Sequence, residues 1–204
     1  MNLMLIKELK AYLDDAFKIK DLGELGYFME IKARSNKAGL NLCHHKYALD
    51  ILVETGYLEC KPTSTLMVPG LHLNHKDGEP LSDICSYRRL VGQLLYLTAT
   101  RPDIAYAVQQ LSQFVDSPTY RRMNVVYRVL CYIKRAPGQG FFYPKHDDLQ
   151  LNVFSDSDST SCSETRQSIT CYCLFLGSAL VSGNQRNKSW CHSVRSSVGY
   201  IPPK

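Results

Sequence analysis

Between Ser82 and Pro137 the apolar residues fall into helical order three times, and proline breaks that order twice. Tyr87, Leu90, Val91, Leu94, Leu95 and Thr98 follow the i, i+3, i+4, i+7 spacing of a single helix face. Ile104, Ala107, Val108, Leu111, Phe114 and Val115 repeat it, as do Met123, Val126, Leu130 and Ile133. Arg101-Pro102-Asp103 separates the first two runs, and Pro102 suits the first turn of the next helix. Ser117-Pro118 separates the second run from the third, which spans about Thr119 to Arg135. Each run has an apolar stripe too wide to leave in water, so the three helices must bury their stripes together.

The flanks read differently. No Gly or Pro interrupts Asn2 to Lys20, and Ile6, Leu9, Leu13 and Ala16 are helically spaced, which predicts a first helix. Tyr27 to Ala33 reads as one strand, Ser35 to Gly39 as a hairpin turn, and Leu40 to Cys43 as the returning strand. Lys46 to Thr55 reads as a helix closed by Gly56. Pro62, Pro69, Gly70, Gly78 and Pro80 mark a long irregular connection. After Pro137-Gly138-Gln139-Gly140, the segments Phe141–Tyr143, Leu149–Ser155, Ile169–Leu176 and Ala179–Ser182 read as an antiparallel meander. The expected class is α+β.

At 204 residues and 45% hydrophobic, the chain is long enough and apolar enough to fold. No apolar run approaches the roughly 18 residues of a membrane span, and Met1 to Lys7 does not read as a signal peptide. No membrane partner is expected. The eight cysteines show neither a repeated Cys-x-x-Cys pair nor a Cys/His finger spacing. They read as reduced, intracellular thiols. Cys43-His44-His45 and Cys171-x-Cys173 read as packing or surface residues rather than metal ligands.

Charge is unevenly placed. Residues 81 to 145 hold nine Lys/Arg and three Asp, whereas the whole chain has a formal charge of only +5. Arg88 and Arg89 lie in this segment, and Arg121, Arg128 and Arg135 recur every seven residues on the third helix. Seven-residue spacing drifts only about 20° per step, so these three form one stripe opposite the apolar face. A local basic excess fits a polyanion, with nucleic acid first, and fits a solvated face equally well.

Tyr12-Leu13-Asp14-Asp15 spells the Tyr-x-Asp-Asp string with which polymerases that copy RNA into DNA hold their metals. Two-metal phosphoryl transfer needs carboxylates that converge on one cation pair. On a helix, adjacent Asp14 and Asp15 point about 100° apart and share no such focus. The string therefore reads as part of a solvated helix face.

Several blocks of the chain resemble the polymerase polyprotein of copia-type retrotransposons, in order. They are "FKIKDLGEL", "YFMEIKARSNKAGLNLCHHKYALDIL", "ETGYLECKPTSTLM", "YRRLVGQLLYLTATRPDIAYAVQQLSQF", "RVLCYIKRAPGQG" and "FSDSDSTSCSETRQSITCYCLFLG". The resemblance runs from about Phe17 to Lys188. It implies that residues 1–58 are the end of a reverse transcriptase palm, with a hairpin that grips the primer end. Residues 59–81 would be a linker, 82–137 a helical thumb and connection, and 138–204 a truncated ribonuclease H-like meander. It also places the family's metal-binding Tyr-x-Asp-Asp upstream of Met1, so that Tyr12 to Asp15 falls within a helix.

The implied function is that of a retroelement remnant without catalysis, keeping a surface for an RNA–DNA or RNA duplex. The implied phosphate contacts are Arg88, Arg89, Arg121, Arg128 and Arg135. The alternatives are a nucleic-acid-binding module retained by the host and a pseudogene product without a role. The family uses magnesium, and this chain is expected to require no cofactor. Asp156 matches the first ribonuclease H carboxylate and Asp158 a second acid, both vestigial metal ligands. The position of a further catalytic Glu reads Val198-Gly199, without an acid. Glu30 stands where the family usually has Gly.

Overall fold

A computed structural model of the chain describes residues 3–20, 23, 26–68, 73, 78–145, 150–158 and 168–188. Among these residues it contains five α-helices and two antiparallel sheets, an α+β arrangement. Helix α1, Leu3–Phe17, forms where helix formers run unbroken, and Lys18 ends it at φ +52°. Its apolar side chains stay largely in solvent, with Leu9 58% and Phe17 72% exposed.

The expected strand from Tyr27 to Ala33 is two strands. Strand β1, Tyr27–Phe28, turns at Met29-Glu30 and pairs back onto β2, Ile31–Ser35. Met29 (φ +48°) and Glu30 (φ +62°) both have positive φ, as the primed two-residue turns require. The apolar-polar alternation hid this turn because neither residue is a usual turn former. Strand β3, Gly39–Cys43, follows a turn in which Asn36 Oδ1 accepts from the amides of Ala38 and Gly39. Helix α2, His45–Glu54, ends with Gly56 at φ +73°, and the Gly56 and Tyr57 amides return to the Val53 and Leu52 carbonyls. That is the Schellman pattern expected of a closing glycine.

The three predicted helices are α3, Ile84–Leu97, α4, Ala105–Ser112, and α5, Tyr120–Arg135. Asp83 caps α3 by accepting from the Ser86 amide at 3.0 Å, and Thr119 caps α5. Pro102 opens a 3₁₀ turn, Pro102–Ile104, that runs into α4. Tyr87, Leu90, Val91, Leu94, Ile104, Ala107, Val108, Leu111, Val126, Leu130 and Ile133 are buried in one core with Ala48, Ile51 and Leu52 of α2. Leu95 departs from expectation: it is 40% exposed, and Leu97 takes the core position, three residues after Leu94 rather than one.

The chain after Pro137 does not form one meander. Strand β4, Phe141–Pro144, pairs with β3 and completes the first sheet, ordered β1-β2-β3-β4. Two glycines permit this close pairing. A Cβ on Gly39 would lie 2.2 Å from the Tyr143 carbonyl oxygen, and one on Gly140 would lie 2.1 Å from that of Leu42. The meander begins at β5, Leu151–Asp158, and continues through β6, Ser168–Leu176, and β7, Ala179–Lys188. Gly177, at φ +60°, makes the tight turn between the last two.

Arg101 joins these parts. Its guanidinium is 1% exposed and forms two 2.9 Å bonds to the Asp103 carboxylate. Nη1 donates to the Ala136 carbonyl at 2.9 Å, and the cation lies over the Tyr132 ring. One side chain thereby ties the α3–α4 junction to the last turn of α5. Arg101→Met should lower the unfolding free energy by about 3 kcal/mol in denaturant titration, because it strands the Asp103 carboxylate and the Ala136 carbonyl. Asp103→Asn, which keeps hydrogen-bonding capacity beside the cation, should cost less.

Candidate nucleic-acid interface

The five predicted arginines do not form one uniform face. Arg88 and Arg89 are adjacent on α3 and so diverge around the helix. Arg88 Nε donates to the Val115 carbonyl at 2.8 Å, and Nη2 lies 3.6 Å from Asp116. Arg89 reaches the other way, with Nη1 3.3 Å from Glu54 on α2, a carboxylate that also accepts from Gln93. Both side chains remain more than half exposed. Such pairs contribute about 0–1 kcal/mol, so a phosphate can compete for these cations.

Arg121, Arg128 and Arg135 share a face of α5, as their spacing requires, and the irregular connection runs over part of it. Arg121 and Arg135 are exposed at either end. Arg128, expected in solvent, is half-buried: its Nη2 donates to Thr65 Oγ1 at 2.6 Å, and its Nε is buried without a hydrogen-bond partner. The Thr63 amide bonds the Cys131 carbonyl, and the Gly78 backbone lies against the Arg121 Cβ. Helical periodicity fixed which residues share the face and left open what covers it.

Two cations of the basic segment serve the interior instead. Arg101 is held as described above, and Arg122 is 0% exposed with its guanidinium 4.1 Å from the Phe114 ring centroid. Arg122 also donates to the Ser117 carbonyl. Arg122 sits within the apolar face of α5, next to Met123, and that position was the signal in the sequence. The surface excess is correspondingly smaller than the composition of residues 81–145 indicates.

The Met29-Glu30 turn rests on an aromatic group missed in the sequence. Tyr96 Oη donates to the Met29 carbonyl at 2.7 Å, and its ring meets His44 and Tyr47 edge-on. His44 is buried, with Nδ1 2.7 Å from Thr100 Oγ1 and Nε2 unpaired. Burial lowers its pKa, and the nearby Met29 carbonyl and Glu30 carboxylate only partly oppose this. Cys43 is also buried, and among the described residues no three His, Cys, Asp or Glu side chains gather as a metal site. At the turn, Tyr27 Oη donates to the Glu30 carboxylate, and that bond pushes the phenol up to about 12. Tyr27, Phe28 and Met29 are more than half exposed around it.

The acids divide into two groups. Asp14 and Asp15 lie on α1, and Asp15 pairs with Lys18 at 3.5 Å. Asp156 and Asp158 lie in β5, paired in register with Cys171 and Ile169 of β6. Neither β6 nor β7 contains an Asp or Glu. Among the described residues Asp156 and Asp158 are the acids of this sheet, whereas two-metal hydrolysis needs a converging set of carboxylates. Arg195 to Tyr200, the block matched to the missing Glu, lies outside the described residues.

No family model matches the chain, and no solved structure does. Curated relatives do match. Over 186 residues, 91% of this chain, it is 37% identical to the retrovirus-related Pol polyprotein from transposon RE1 of Arabidopsis thaliana. It is 36% identical over 195 residues to the corresponding RE2 polyprotein. Over 184 residues it is 37% identical to the uncharacterized mitochondrial protein AtMg00810 of the same plant, covering 76% of that protein. Together with the α+β fold, these alignments define a segment of retroelement origin. The chain belongs to the family of retrovirus-related Pol polyproteins from copia-type transposons. It spans 13% of the length of the RE1 and RE2 polyproteins.

The turn generates a prediction. A left-handed backbone costs a non-glycine residue about 1–2 kcal/mol. Glu30→Gly removes that strain and also the Tyr27 bond, which lies at the surface. The variant should therefore be more stable by about 1 kcal/mol in urea titration, and the Tyr27 phenol should titrate at lower pH.

Proposed function

We propose that this chain holds a nucleic-acid duplex through its phosphates and catalyses nothing by itself. In this reading β1 to β3 are the palm hairpin at the primer end, α3 to α5 are the thumb and connection, and β5 to β7 are a ribonuclease H-like meander. The observation that carries the reading is the exposure of Arg121 and Arg135 at the two ends of one face of α5. Fourteen residues at 1.5 Å rise separate them by about 21 Å, enough to meet several phosphates of a duplex. Arg128 lies between them and would join once Thr65 gives way. Contacts of this kind position a duplex and carry no base identity. An RNA–DNA hybrid or RNA duplex is the expected ligand, recognised by shape.

The test is a titration of a labelled RNA–DNA hybrid with wild type and an Arg121→Ala/Arg128→Ala/Arg135→Ala variant at several salt concentrations. Removing each arginine that neutralises a phosphate should lower the slope of log K against log salt by nearly one unit. Binding should weaken similarly for different sequences. Superimposable affinities and slopes would leave these arginines as a solvated face.

Absence of catalysis is tested separately. The purified chain should not cleave the RNA of a hybrid in magnesium or manganese, because the position matched to the further catalytic Glu reads Val198-Gly199. Cleavage by wild type that vanishes in Asp156→Asn would overturn this. Asp14→Ala/Asp15→Ala should leave hybrid binding unchanged.

A further inference from the structure

Cys60 and Cys131 are far apart in sequence and meet where the irregular connection crosses α5. Both thiols are free and half-buried. Independent contacts hold the two backbones together on either side of the pair. Three residues before Cys60, the Tyr57 ring stacks on Tyr127 at 4.8 Å and 18°. Three residues after it, the Thr63 amide donates to the Cys131 carbonyl at 3.2 Å. Burial first, then Tyr127 and the two thiols, raise the Tyr57 phenol above its ordinary range. Cys60 is therefore bracketed against Cys131 by one ring stack and one backbone bond, within a chain otherwise read as reduced thiols.

We propose that Cys60 and Cys131 are a redox-responsive dithiol that closes to an intramolecular disulfide by exchange with a small-molecule disulfide. The Cys60 thiolate attacks one sulfur of that disulfide, forming a mixed disulfide and releasing one small thiol. Cys131 then attacks the Cys60 sulfur, the Cys60–Cys131 bond forms, and the second small thiol leaves. Two electrons pass from the protein thiols to the small disulfide, and the two protons end on the released thiols. Burial, then the neighbouring Cys60 thiol, push Cys131 up to about 11, with Arg128 opposing, which disfavours Cys131 as the first thiolate. Closure fastens the connection to α5 beside Arg128 and keeps Thr65 on that guanidinium.

The experiment equilibrates the purified full chain with mixtures of reduced and oxidised glutathione, alkylates the remaining thiols and maps non-reduced peptides by mass spectrometry. A Cys60–Cys131 linked peptide should dominate the disulfides formed, and that preference should vanish when oxidation is carried out in denaturing urea. Oxidation should raise the thermal midpoint of the wild type by about 5 °C or more, and should not do so in Cys60→Ser or Cys131→Ser. Glutathione carried separately on the two cysteines without a link would overturn the proposal. So would the same pattern of links in native and unfolded protein, or an equal rise in the serine variants.

Discussion

The buried Arg101 guanidinium is the interaction on which the arrangement of this chain depends. Helix α3 ends at Leu97, and the chain must turn before α4; Arg101 is the residue at that turn. An unpaired cation there would be severely penalised, and the Asp103 carboxylate, the Ala136 carbonyl and the Tyr132 ring satisfy it. Because Ala136 closes α5, the same side chain fixes where the backbone leaves the helical core. Four residues later Gly140 admits β4 to the edge of β3. The block "YRRLVGQLLYLTATRPDIAYAVQQLSQF" thus includes Arg101 and Asp103, two residues of a structural clamp.

Arginine has two different roles in this molecule. Arg101 and Arg122 are interior residues, held by a carboxylate, backbone carbonyls and aromatic faces. A planar guanidinium with several fixed donors suits such sites better than an ammonium would. Arg88, Arg89, Arg121 and Arg135 are surface cations, and the first two make only exposed ion pairs. Arg128 stands between the two groups, its head against Thr65 and its Nε buried. The electrostatic surface is therefore set by which arginines the fold withdraws, as much as by how many the segment contains.

Strain at the Met29-Glu30 turn shows how one position connects sequence, backbone and surface chemistry. A two-residue primed turn favours Asn-Gly, and this chain supplies Met-Glu at positive φ. Tyr96 holds the Met29 carbonyl from below, and Tyr27 holds the Glu30 carboxylate from the side. These bonds offset part of the backbone cost. Glu30 is thus a position where this backbone favours a glycine.

Local pattern determined much of this protein. The three helices and their proline breaks, the glycine that closes α2, the Gly177 turn and the solvated helix around Asp14 and Asp15 were all legible, because each depends on residues within a few positions of one another. The resemblance to copia-type polyproteins was likewise carried by contiguous blocks. Tertiary structure decided the rest. The pairing of β4 with β3 depends on close approach at Gly39 and Gly140, and strand alternation says nothing about which distant edge a strand will join. Leu97 rather than Leu95 is buried, because the side of α3 that carries Leu97 is the side the other helices cover. Arg128 lost its open face because the connection lay down over α5. A helix wheel assigns residues to faces; only the packing of distant segments determines which faces meet water.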